Sequence, residues 1–139
     1  MSGVVIMREL LKLRAQLTDL VPAGRIFVGA LPLGAALPAV GITSVGGNEV
    51  ETVARRAQRI PVRERVQVTV YAADYPAQER LLKAAGLGAG VHTGLLTTAE
   101  NTYHVNSVLP LGTNPAIPPA GDGIYERSRD FMVTFKEAN

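Results

Sequence analysis

Residues Val62–Ala85, VRERVQVTVYAADYPAQERLLKAA, read as a strand that runs almost directly into a helix. Val62, Val66, Val68 and Val70 fall on one side of the strand, and Arg63, Arg65, Gln67, Thr69 and Tyr71 fall on the other. Such alternation marks a half-buried strand, because successive side chains point to opposite faces of a sheet. Asp74 then stands where a helix wants a capping carboxylate, and Pro76 lies in the first turn, where no backbone donor is missed. Ala77, Leu81, Ala84 and Ala85 recur at helical spacing, and Leu82 widens the stripe. One apolar sheet face with a helix at hand to cover it is the nucleus of an α+β domain.

Working outward towards the N-terminus, Asn48–Pro61 reads as a loop or long hairpin projecting from the sheet. Its only larger apolar residues are Val50, Val53 and Ile60, with Arg55, Arg56 and Arg59 among them. Gly46-Gly47-Asn48 is a turn signal. Ala39–Val45 offers a strand with Val40 and Ile42 inward, and Arg25–Val28 a shorter one; Pro32 and Pro38 keep the segment between them from being helical. Val4–Val21 reads as a first helix, with Ile6, Leu10, Leu13, Leu17 and Leu20 as its apolar stripe. Pro22 and Gly24 end it.

Towards the C-terminus, Gly86, Gly88 and Gly90 loosen the chain after the second helix. Tyr103–Leu109 alternates as a strand, with Tyr103, Val105 and Leu109 on one side. Pro110–Gly123 is dense in Pro and Gly and reads as a second long loop. In the last strand, Ile124–Lys136, Phe131, Val133 and Phe135 share a face. The expected architecture is α+β, a mostly antiparallel sheet of four to five strands with two helices packed on one face. A length of 139 residues suits one domain, spanning residues 1–139 with projecting loops at about 46–61 and 110–123.

The chain has no cysteine, which removes disulfides, thiolate catalysis and cysteine zinc sites. A net charge of +2 is too small to imply nucleic-acid binding by itself. No apolar run approaches the length needed to cross a bilayer and no signal peptide is evident, so a soluble, cytoplasmic domain is expected. Gly86, Gly88 and Gly90 follow a helix instead of preceding one, so they read as a helix end and not as a phosphate loop. His92 and His104 lack a second ligand at metal-binding spacing, and Ser44, Ser107 and Ser128 lie in strand-like runs with no nucleophile elbow. Neither catalysis nor a cofactor is expected.

Arg55, Arg56, Arg59, Arg63 and Arg65 form the densest charge cluster, interspersed with Glu49, Glu51 and Glu64 and without an aromatic stacking platform. A solvated or subunit-contacting face fits it better than a nucleic-acid site. The polar Gln67, Thr69 and Tyr71 face suits either a protein contact or ordinary solvated sheet.

The order of these pieces resembles the tail terminator, or tail completion, proteins of long-tailed phages and related prophages. The resemblance is carried by VPAGRIFVGALPLGAALPAVGI with Arg25-Ile26, Gly29, Leu31-Pro32 and Pro38, by Arg65–Val68 leading into a helix, and by Arg127 with Asp130-Phe131 in the closing strand. It implies an α+β subunit that closes into a ring, commonly a hexamer, on the tail tube, in the virion tail after assembly in the host cytoplasm. Its partners would be copies of itself, the tail tube protein and a head–tail connector protein, with no membrane. DNA passing through the ring would meet the arginines without being read. Candidate contact residues are Arg55, Arg56, Arg59, Arg63, Arg65, Gln67, Thr69, Tyr71, Asn114 and Ile117. A head–tail connector or head-closure protein is the nearest alternative, and a monomeric DNA- or ligand-binding module the alternative of a different class.

Overall fold

A computed structural model describes residues 2–29, 31–32, 34, 36–49, 61–85, 94–97, 102–115, 117 and 123–138. The chain is α+β, and among the described residues its sheet has six strands where four to five were expected. In chain order the helices and strands are α1 (Ser2–Lys12), α2 (Ala15–Thr18), β1 (Ile26–Val28), β2 (Ala39–Glu49), β3 (Val62–Ala72), α3 (Tyr75–Ala84), β4 (Gly94–Thr97), β5 (Thr102–Thr113) and β6 (Tyr125–Ala138). A 3₁₀ turn at Ala23–Arg25 leads into β1. The order across the sheet is β1-β2-β3-β6-β5-β4, antiparallel except for the β1–β2 pair.

The decisive stretch folds as its alternation predicts. Val66, Val68 and Val70 are fully buried, and Glu64 shares their face. Asp74 caps α3 by accepting a hydrogen bond from the Ala77 amide at 2.8 Å, with Pro76 in the first turn. Leu81, Leu82, Ala84 and Ala85 turn inward. Both α1 and α3 lie on the valine face, α1 over β1, β2, β3 and β6 and α3 over β3 and β6. Phe131, Val133 and Phe135 extend this core from β6, and Tyr103 meets Phe135 edge to face at 6.0 Å. Each such buried side chain contributes roughly 1.5–3 kcal/mol of burial free energy.

The first helix departs from expectation. Val4–Val21 does not form one rod: α1 stops at Lys12, and Arg14 is extended before α2 begins. Arg14 donates through Nε to the Ala84 carbonyl at 2.6 Å, at the C-terminal end of α3. A cation at that end satisfies an orphan carbonyl and suits the negative pole of the helix, and this long-range bond outweighs local periodicity. The break rotates the stripe, so Leu13 and Leu20 are exposed while Val4, Ile6, Met7, Leu10, Leu11, Leu17 and Val21 are buried.

The two loop assignments also change at their near ends. Gly46, Gly47 and Asn48 are not a turn; they continue β2, paired with Arg65, Glu64 and Arg63, after a bulge at Val45. Residues 50–60, and with them Arg55, Arg56 and Arg59, lie outside the described residues. Pro110–Thr113 likewise belongs to β5, and Ile117 forms a bridge with Glu126. β5 takes an extra residue at Asn106 and another at Leu111. The first bulge reverses the alternation, so Val108 is buried and Leu109 is exposed, instead of Leu109 joining Tyr103 and Val105. β4 was not expected at all. Gly86, Gly88, Gly90 and His92 lie outside the described residues.

Candidate interaction surface

The face of the sheet opposite α1 and α3 carries Arg63, Arg65, Gln67, Thr69 and Tyr71 of the residues singled out from sequence, and the strand registers place them in rows. Arg63 of β3 lies beside Thr134 of β6 and Ser107 of β5; Arg65 lies beside Met132 and Leu109; Gln67 lies beside Asp130 and Gly112. Thr69 pairs with Ser128 and Tyr71 with Glu126, while the amides of Asn114 and Ile117 donate to the carbonyls of Ser128 and Glu126. The bulges at Asn106 and Leu111 keep β5 in step with this face although its sequence does not alternate.

Asp130 is the centre of a connected polar network. Although it sits on the helix-free side, it is 5% exposed. Arg65 donates to its Oδ2 through Nε at 2.9 Å and Nη2 at 2.6 Å. Asn114 donates through Nδ2 to Oδ1 at 3.1 Å and to the Ser128 hydroxyl at 2.8 Å. Gln67 donates to the same hydroxyl at 3.2 Å. A buried carboxylate is costly unless its oxygens are occupied, and here both are. Three of the sequence candidates, Arg65, Gln67 and Asn114, are thus brought together around two residues, Asp130 and Ser128, that were not candidates.

Arg63 is exposed on the same face, with Arg65 half-exposed beside it. The two border a shallow depression of about 230 Å³ floored by Gly46, Gly47 and Met132 and flanked by the exposed Val45. At the far end of the face Tyr71 lies over Gly41, where a β-carbon would come 3.3 Å from the ring and 3.3 Å from the Gly29 carbonyl oxygen. Burial pushes the Tyr71 phenol above its ordinary pKa, the Glu126 carboxylate adds to the rise, and a hydrogen bond with Thr69 opposes it. Ile117 is exposed close by.

The motif of Arg127 with Asp130-Phe131 is divided between the two faces of the sheet, with Asp130 on the helix-free side and Arg127 and Phe131 on the helix side. Arg127 donates to Glu79 of α3 at 2.6 Å and to the Asn114 carbonyl at 3.0 Å, which ties the helix and the strand after β5 to β6. Phe131 fills the core. Among the described residues no cluster of His, Asp or Glu could hold a metal, and no helix is long and apolar enough to cross a membrane. The arrangement offers shape, hydrogen bonding and the two arginine cations on one face.

No family model and no curated protein matches the sequence. The fold is similar to that of a chain in a solved structure, the virion of a native gene transfer agent particle. The TM-score is 0.63 at 12% identity, and the match covers 97% of this chain and 96% of that one. The likeness of fold therefore runs over nearly the whole of both chains, without a close likeness in sequence.

Proposed function

We propose that this protein is a structural component of a phage-like virion, and within it the ring that caps the tail tube. The observation that carries the virion reading is the end-to-end fold likeness to a chain of the gene transfer agent virion. The finer assignment rests on the resemblance to tail terminators in Arg25–Pro38, Arg65–Val68 and Arg127–Phe131. In this mechanism nothing is catalysed. A ring seated on the last layer of tube protein blocks further addition by occupying the surface the next layer needs, and its other side receives the head connector. Heterologous contacts between two different surfaces of each copy close such a ring.

The network around Asp130 supports a contact surface more than a DNA-binding one. Arg65 is committed to Asp130, so one of the five clustered arginines is partly neutralised. Phosphate recognition would want that charge free.

Tube assembly tests the reading. Tail tube protein polymerised with this protein should give tubes of limited length bearing a ring at one end in negative-stain images. Tubes that grow as long as in its absence, with bare ends, would overturn it.

A further inference from the structure

The helix-free face of the sheet is polarised along its strands. At one end Arg63 stands beside Thr134 and Ser107, and Arg65 beside Met132 and Leu109. Lys136, paired with His104, lies one step further out. At the other end Thr69 stands beside Ser128, and Tyr71 beside Glu126 and Ile117. The cations that β3 and β6 place on this face therefore gather at one end, and Glu126 with the Tyr71 ring occupies the other. Glu126 makes no ion pair among the described residues. Its neighbour Arg127 turns to the helix side and is taken by Glu79.

The row of Gln67 and Asp130 lies midway between these ends. Arg63 and Tyr71 are each about 13 Å from it along β3. A twofold axis laid along that row turns the face onto a second copy of itself with the strands reversed. Arg63 then comes over Tyr71 and Arg65 over Thr69, with Glu126 one strand across from the Tyr71 ring. The exchange is reciprocal, so both ends are matched at once. Asp130 brings no repulsion to the axis, since it is 5% exposed and held by Arg65.

We propose that two copies of this chain pair face to face through this surface, with Arg63 and Arg65 of each against Tyr71 and Glu126 of the other. Opposite charge at the two ends sets the register and disfavours the parallel arrangement. A guanidinium over a tyrosine ring adds cation–π attraction. Asp130 already holds the Arg65 side chain, so less freedom is lost there on docking. Leu109 and Ile117, 46% and 51% exposed, carry the surface on towards β5 in apolar side chains. From Arg63 to Tyr71, and across β2, β3, β6 and β5, the face measures about 27 by 19 Å, or about 1,000 Å² over both copies. That is the low end for a specific contact, so the dimer is weak and concentration-dependent. A twofold contact closes on itself, so the pairing describes the protein away from a tail tube and does not rest on the ring reading.

Sedimentation of the full chain over a concentration series reaching about 1 mM tests the pairing. A dimer should form as the concentration rises. Arg63→Glu and Glu126→Lys should each weaken it at least about tenfold while melting as the wild type does, because each sets like charges against one another. Mixed in equal amounts, the two variants should form a one-to-one dimer of wild-type strength, since each supplies the charge the other has lost. A strict monomer throughout overturns the pairing. So does association that either single variant leaves unchanged, and so do variants that fail alone and stay apart when mixed. Mixtures that grow beyond a dimer assign the two ends to a head-to-tail contact and overturn the twofold one. Whether tubes are shortened judges the ring reading separately.

Discussion

Arg65 places both Nε and Nη2 on a single oxygen of Asp130, at 2.9 and 2.6 Å, and leaves the other oxygen to Asn114. The two residues lie on neighbouring strands one register step apart, since Arg65 pairs with Met132 and Gln67 with Asp130. The carboxylate is thus a joint between β3, β6 and the chain that follows β5. Asp130→Ala should cost about 1–3 kcal/mol, because Arg65, Asn114 and Ser128 all lose their organising partner. The Arg65/Asp130 coupling in a double-mutant cycle should be about 1 kcal/mol, reduced by the half-exposure of Arg65. Arg63→Ala, on the same face, should stay within about 0.5 kcal/mol in denaturant titrations. Equal effects for Arg63 and Arg65 would show that the network contributes nothing.

Tyr71 gives a pH dependence whose sign is fixed. Its phenol is neutral in both folded and unfolded chains at neutral pH, and burial raises its folded pKa. The contribution is therefore fully present below the unfolded tyrosine pKa of about 10 and is lost as pH rises through the folded value. Ultraviolet titration should show one of the four tyrosines ionising late, and Tyr71→Phe should remove that phase. The same variant should flatten the alkaline decline in melting temperature. A late phase that persists in Tyr71→Phe belongs to another tyrosine.

Gln78 on α3 is fully buried, and among the described residues neither its Nε2 nor its Oε1 has a hydrogen-bond partner. An amide so placed forfeits its hydration, at a cost of about 1–3 kcal/mol. Gln78→Met, similar in length and apolar, should raise the denaturation midpoint, whereas Gln78→Glu should lower it. Destabilisation by methionine would reveal that the amide is satisfied, most simply by a buried water.

Gly3 faces the buried Glu64 from the first turn of α1. A β-carbon there would lie 2.6 Å from Glu64 Oε2 and 3.1 Å from its Cβ. Alanine normally favours a helix over glycine by nearly 1 kcal/mol, yet Gly3→Ala should be destabilising because the buried Glu64 side chain beneath must shift. Gly24→Ala, with open space around it, is the control and should be near neutral. Thermal melts that rank the two the other way would mean that the Glu64 side chain makes room without loss.

Much of the core was readable in Val62–Ala85 because alternation and helical spacing there agree with the final packing. Val40, Ile42, Phe131, Val133 and Phe135 were readable for the same reason. Leu13 and Leu109 were not, and in each case a break in periodicity intervenes. Arg14 ends α1 through a bond to Ala84 that no local pattern announces, and Asn106 slips β5 by one residue. The candidate surface was half legible: the outward residues of β3 follow from counting by twos. Ser128 read as an ordinary strand residue and Asp130 only as part of the closing motif, and only the β3–β6 register brings them beside Arg65 and Gln67.

The strand order has a consequence for how the molecule is put together. β1, β2 and β3 are contiguous both in the chain and in the sheet, and so are β4, β5 and β6, but the second group is entered from its far strand. The N-terminal and C-terminal halves therefore meet along one seam, β3 against β6, closed only after the chain between them has looped back. Each half is built from nearer neighbours and closes at lower entropic cost than the seam. Folding should thus run as two three-stranded pieces followed by a slower docking. A chain cut once between Ala85 and Gly94 should still reassemble from its fragments through that seam.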